Sequence, residues 1–332
     1  MSEIKLLCQY QDPDNNAQHN YCCMGEANDS GFCYWHDKNI NKSGSEVKDA
    51  LEQYAKSGGL LRGIFLAKAQ LEGVDLVNHH KKNGHDFSHA DFYHANLKGA
   101  HLFNIILNNA SIMKTDLRDA NLNCANLTET NMLGVKWRGS KFENIKMGKK
   151  LKQELLAKKA LTNKDHKSSV DYLEQAEEIY RDLRKHAEQE GIFTLSGYFI
   201  QKELTMRRLQ LPRFSIKRFL SKVVDIFCGY GEAPLRIIIL SMVIILLCAI
   251  IYTFTGLSYN NTVQAASSAY SLTENFSFFL SSLYYSVVTF TTLGYGDFTP
   301  VGISRAIAAI EAFTGSFTIA LFVVVFVKKM TR

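Results

Sequence analysis

Two long apolar runs set the last third of this chain apart from the rest. Residues 235–256 read LRIIILSMVIILLCAIIYTFTG and residues 303–327 read ISRAIAAIEAFTGSFTIALFVVVFV, whereas the first 234 residues are polar and charge-rich. At about 1.5 Å per residue, either run as a helix crosses a hydrocarbon core of roughly 30 Å. Both are expected to be transmembrane helices. Between them, residues 276–290 open with FSFFLSSLYYSVVT, apolar and aromatic and free of Gly, Pro and charge. A helix over this stretch reaches only about 21 Å, too short to cross a membrane but able to re-enter one.

Ahead of the runs the pattern takes a period of five. From Phe87 an apolar side chain returns at Phe92, Leu97, Leu102 and Leu107 and onward through Leu127 and Trp137 to Phe142. A small residue sits two places before most of them, as at Ala90, Ala95, Ala100 and Thr115. Neither helix nor strand has this period, so a repeat architecture is required over residues 60–145. A weaker start at 64–76 is interrupted by KKNGHD. Residues 148–211 then read as a helical linker. Its 170–190 segment carries Leu173, Ala176, Tyr180, Leu183 and Ala187 on one face and stops at Gly191, and a further helix at 196–209 ends before Pro212. These two helices are expected to form an antiparallel hairpin packed against its symmetry mates. Residues 213–228 follow as a basic, amphipathic helix lying on the inner leaflet, with Arg213, Lys217, Arg218 and Lys222 toward anionic lipid.

Average composition conceals this division: 46% hydrophobic, 21% charged and a net charge of +6 would suit a soluble protein. Residues 235–327 hold only Arg236, Glu274, Asp297, Arg305 and Glu311 as charged side chains. Lys and Arg cluster before the first run and after the second, at Lys328, Lys329 and Arg332, and are missing from 257–302. The positive-inside bias places both termini in the cytoplasm and the connecting segment outside. The expected location is multi-pass in a plasma (inner) membrane, of a bacterial cell. The opening MSEIKLLCQYQD has no apolar signal-peptide core. Five residues follow the second run, so a cytoplasmic signal is expected to enter through the 213–228 helix and the first run.

Gly-Tyr-Gly occurs twice. The copy at 229–231, beside Glu232 and Pro234, reads as a turn. The other, in TTLGYGDF, follows the re-entrant segment, where alternating glycines permit left-handed backbone and let successive carbonyls face one way. Four such loops around an axis would replace the hydration shell of a potassium ion. TTLGYGD between two spans resembles the two-transmembrane potassium channel family. The resemblance covers residues 235–327 and implies a homotetramer, K+ as permeant ion, and a filter of Thr292, Leu293, Gly294, Tyr295 and Gly296 followed by Asp297. Leu293 stands in place of the commoner valine, and Val288 where some members carry a buried glutamate. Gly315 is a hinge or a close-packing glycine. Phe322 and Phe326, four residues apart on one face, are candidates for an apolar gate.

The repeats ADFYHANLKGA and DANLNCANLTET resemble the pentapeptide-repeat family, which implies a right-handed quadrilateral β-helix stacking Phe87, Leu107 and Leu127. Residues 86–142 carry six Lys/Arg against five Asp/Glu, which argues against DNA mimicry and a nucleic-acid partner. Within residues 1–45, Cys8, Cys22 or Cys23, Cys33 and His36 suit a closed, structural zinc knob, since cytoplasmic thiols stay reduced. His79, His80, His85, His89, His94 and His101 read as a polar coat, with a second metal or a proton sensor as the alternative. No nucleophile–base pair, phosphate loop or open metal site points to an enzyme. The expected protein is multidomain: a cytoplasmic β-helix with a helical hairpin, then an all-α two-transmembrane potassium-channel pore, the module regulating gating or assembly through an unknown ligand or protein partner. A membrane-tethered scaffold that recruits a protein partner is the alternative.

Overall fold

Every fifth residue from His89 to Asn144 has a positive φ, and nine of these twelve are not glycine. In this computed structural model, which describes residues 6–15, 23–79, 81–260 and 262–331, those residues are the corners of a β-helix. Between corners the chain pairs in parallel with itself 20 positions on, Asp86 with Ile106 and Ile106 with Asn126. One coil therefore has four five-residue faces, and Phe87, Leu107 and Leu127 stack in its buried interior. The small residues also point inward. Thr115 and Thr130 fill that place without cost, because their hydroxyls donate to the Phe92 and Leu107 carbonyls at 2.7 Å. A left-handed corner costs roughly 1–2 kcal/mol for a side chain such as Lys114 or Glu129. The ladder on either side holds it there.

The earlier, weaker repeat belongs to the same stack. Phe65, Gln70 and Asp75 pair with Asp91, Asn96 and His101 at an offset of 26, so the first coil carries six extra residues between Asp75 and Asp86, which rejoins the ladder opposite Ile106. Both ends of the stack are covered, which protects the edges from pairing with other chains. At the first end lies α1 (Glu46–Lys56), with Val47, Leu51 and Ala55 buried and Glu52 accepting the Asp75 amide at 2.9 Å. At the other lie α2 (Lys152–Thr162), α3 (His166–Gln189) and α4 (Phe193–Gln210). Ala176, Tyr180, Leu183 and Ala187 of α3 are buried, continuous with Phe199 and Met206 of α4. α3 and α4 run antiparallel: Arg207 pairs with Glu177, Arg184 with Glu203 at 2.8 Å, and Ser196 with Glu188 at 3.1 Å.

His186 of α3 closes the stack. Its ring packs on Phe142 at 4.6 Å, and Nε2 donates to the Ser140 carbonyl at 2.9 Å, which leaves Nδ1 buried without a partner. Burial lowers the pKa of this imidazole below its ordinary value. The neutral ring's stabilisation is therefore complete above about pH 6.5, the unfolded value, and is lost as pH falls from there through the folded one. Hydrogen-exchange protection of residues 137–142 is expected to drop between pH 7 and pH 5, and His186→Phe to remove most of that dependence. Equal pH dependence in the variant would refute it.

The chain divides at Pro212, and Arg213–Arg332 forms a second unit. It holds α5 (Ile216–Cys228), α6 (Pro234–Thr255), α7 (Leu272–Phe290) and α8 (Ser304–Met330). α6 and α8 are long and apolar enough to cross a membrane. α7 starts earlier than the apolar pattern implied because Ser271 and Glu274 form a capping box. Three short strands add an antiparallel sheet: β1 (Leu257–Tyr259) between β2 (Thr262–Gln264) and β3 (Phe298–Pro300). The sheet ties the chain leaving α6 to the chain entering α8.

Candidate functional site

The segment after α7 has an unusual backbone. Thr292, Gly294 and Gly296 have φ of 59°, 59° and 79°, while Leu293 and Tyr295 between them do not share that hand. Thr292 ends α7 in a Schellman arrangement: its N–H reaches the Thr289 carbonyl and the Leu293 N–H the Val288 carbonyl, both at 3.0 Å. Alternating hand turns successive peptide planes the same way, which is the arrangement a row of carbonyls needs. Leu293 and Tyr295 are exposed in the single chain. Asp297 follows and accepts the Phe298 amide at 3.0 Å.

Behind this segment the packing is close. α8 passes the end of α7 at Gly315, where a Cβ would lie 2.0 Å from the Phe290 carbonyl oxygen. Glycine is needed there for contact, and α8 continues through it as unbroken helix. Further along α8, Phe322 and Phe326 stack at 5.6 Å. Phe322 packs against Cys228, Ile237 and Val325, where α5, α6 and α8 meet, and Phe326 is exposed.

α5 carries Ile216, Phe219, Leu220 and Ile226 exposed on one side, with Phe214 just ahead, and Lys217 and Lys222 on the other. Arg213 is also exposed and Arg218 half-buried. The helix ends at Gly229 in a left-handed cap, so the first Gly-Tyr-Gly is a turn. That turn has a second part to play. Glu232, just after it, accepts from Lys328 Nζ at 2.7 Å, and its carbonyl from Lys329 Nζ at 3.2 Å. The C-terminal end of α8 is thus fastened to the α5–α6 turn, a contact that sequence spacing of 96 residues could not reveal.

In the first unit, Cys8, Cys23, Cys33 and His36 are buried with their ligand atoms within 4.8 Å of one another. Cys33 Sγ lies 3.6 Å from Cys23 Sγ and 3.1 Å from His36 Nδ1. His36 Nε2 donates to the Arg62 carbonyl at 2.9 Å, which frees Nδ1 to bind a metal. Buried Lys42 bonds the Asp37 carbonyl at 2.7 Å and supplies a positive charge near the thiols. The donor set fits zinc closed by four ligands. Cys22 and His80 lie outside the described residues. Asp12, Asp14 and His89 also converge, but the Arg62 guanidinium fills that space, bonding Asp12 and Asp86 at 2.7 Å. His94 is exposed, whereas His89 meets Asp14 at 2.9 Å.

Comparison with known proteins follows the same division. A family described as an ion channel matches residues 238–332, and pentapeptide repeats, in eight copies, match residues 83–109 and 110–147. No curated protein matches the chain. Among solved structures, the pentapeptide repeat protein Rfr23 from the cyanobacterium Cyanothece 51142 is 22% identical over 27% of this chain and 84% of its own, with a TM-score of 0.20. HetL, a pentapeptide repeat protein involved in heterocyst differentiation regulation from Nostoc sp. strain PCC 7120, is 26% identical over 25% of this chain and 47% of its own, with a TM-score of 0.18. A pentapeptide repeat protein from Nostoc Pcc 7120 is 21% identical over 30% of this chain and 94% of its own, with a TM-score of 0.19. Both matched families are of non-enzymatic kinds. The chain joins pentapeptide repeats to a C-terminal ion channel domain.

Proposed function

We propose that this protein is a homotetrameric, potassium-selective channel of the plasma membrane whose N-terminal module controls gating. The observation that carries the reading is the alternation of backbone hand at Thr292, Gly294 and Gly296, placed between α7 and the long apolar helix α8. A row of carbonyls from each of four chains supplies oxygen cages that favour dehydrated K+ over Na+. Anionic lipid of the inner leaflet holds α5 through Arg213, Lys217, Arg218 and Lys222, with both termini cytoplasmic. Zinc at Cys8, Cys23, Cys33 and His36 is structural, because four protein ligands leave no position for water. The test is flux into liposomes holding the purified protein: barium-sensitive uptake of potassium over sodium is expected, and equal uptake of both ions would sink potassium selectivity.

Gating force then has a direct route to α8 as well as the route through α6. A partly exposed pair such as Glu232–Lys328 is worth about 0.5 kcal/mol. Four copies acting together give about 2 kcal/mol, or roughly a thirtyfold change in the open–closed equilibrium. Glu232→Gln and Lys328→Met are expected to shift open probability in the same direction, with the double variant no worse than either single one. Additive effects in single-channel recordings would show that the two residues act separately.

A further inference from the structure

Glu311 sits in the spanning helix α8 at 2% exposure, and nothing in the ion-conducting role above employs it. A carboxyl group at that depth is costly unless its oxygens are satisfied. Both are. Tyr252 Oη, from α6, lies 2.6 Å from Oε2, and Ser286 Oγ, from α7, lies 2.5 Å from Oε1. Ser286 Oγ also reaches the Ile245 carbonyl of α6 at 2.9 Å. Tyr252 packs edge-on to Tyr285 of α7 at 5.0 Å, and Cys248 lies against the same cluster. One side chain thus joins the re-entrant helix to both spanning helices, one turn ahead of the Gly315 contact with Phe290.

Resting on the channel reading, we infer that Glu311 is the positioning residue that sets where α7 stands, and so where residues 292–296 place their carbonyls. The count of hydrogens refines this. Ser286 has one hydroxyl hydrogen but two acceptors within reach. Both contacts are hydrogen bonds only if Glu311 brings a hydrogen of its own at Oε1, as a carboxylic acid does and an amide would. Ser286 then donates to Ile245 and accepts from Glu311, while Tyr252 donates to Oε2. An acid from α8 therefore holds α7 on the face that carries Ser286.

The experiment is the potassium-to-sodium permeability ratio of the full-length protein in liposomes, with assembly followed by size-exclusion chromatography. Glu311→Gln keeps the three-helix bonds and is expected to keep the wild-type ratio within about twofold. Glu311→Ala is expected to lower it about tenfold or more, and Tyr252→Phe about threefold, in protein that still assembles. If Glu311→Ala does not assemble, Glu311→Gln and Tyr252→Phe decide alone. A selective wild type whose Glu311→Gln falls as far as Glu311→Ala, or whose Tyr252→Phe is unchanged, overturns this inference and leaves the channel reading standing. A wild type without potassium selectivity overturns both.

Discussion

Replacing Gly294 by Ala is expected to abolish potassium-selective flux while the protein still assembles. No clash is responsible: a Cβ at Gly294 meets nothing within 4 Å in the chain. The cost lies in the backbone, because φ is +59° there, and a side chain in that region costs roughly 1–2 kcal/mol. In a tetramer the four copies act on the same carbonyl rings, so about 4–8 kcal/mol opposes the alternating arrangement. The chain relieves it by turning peptide planes away from the axis, and a ring with misdirected oxygens no longer replaces the hydration shell. Flux is expected to fall about a thousandfold or more, toward the leak of empty liposomes. Gly302→Ala is the control. It has φ of +56° and equally open surroundings, but lies beyond the carbonyl row. Matched strain with retained selectivity at Gly302 would locate the effect in the row. Equal loss in both variants would assign it to general damage, and unchanged flux in Gly294→Ala would overturn the filter.

What the sequence made legible depended on how local the cause was. The β-helix was readable because each inward residue recurs at five, and the interrupted first coil keeps that period on both sides of KKNGHD although six extra residues move its phase on by one. The two long apolar helices α6 and α8 were readable from length and apolarity alone. α7 could have been extended to its true start, since Ser271 and Glu274 have capping-box spacing, but the apolar count began later. The left-handed corners at Lys114 and Glu129 run against local preference and are imposed by the ladder. α1 is a short helix whose burial of Val47, Leu51 and Ala55 depends on the coil beneath it. The three strands β1 to β3 are three residues each and have no period to detect. The Glu311 cluster and the Glu232–Lys328 pair join residues from separate helices, and side chains 25 to 96 positions apart leave no mark in a local pattern.

Cys33→Ser is expected to strip zinc from the protein and loosen everything before the β-helix. Cys33 is the hub of the cluster, touching both Cys23 Sγ and His36 Nδ1. Closed zinc sites of this kind contribute about 10–16 kcal/mol to small domains at neutral pH, far more than the apolar burial available to so short a segment. The β-helix has its own continuous interior and does not share that dependence. Metal content is therefore expected to fall from about one zinc per chain to near none. Proteolysis should become rapid before residue 60 while 87–142 stays protected. The damage should also reach the first coil, because His36 Nε2 holds the Arg62 carbonyl and Arg62 holds Asp12, Asp14 and Asp86. Cys124→Ser, at a corner of the β-helix away from the cluster, should leave zinc unchanged, and so should Cys22→Ser if Cys23 is the ligand. Full zinc retention in Cys33→Ser would mean that these thiols are a buried apolar cluster and not a metal site.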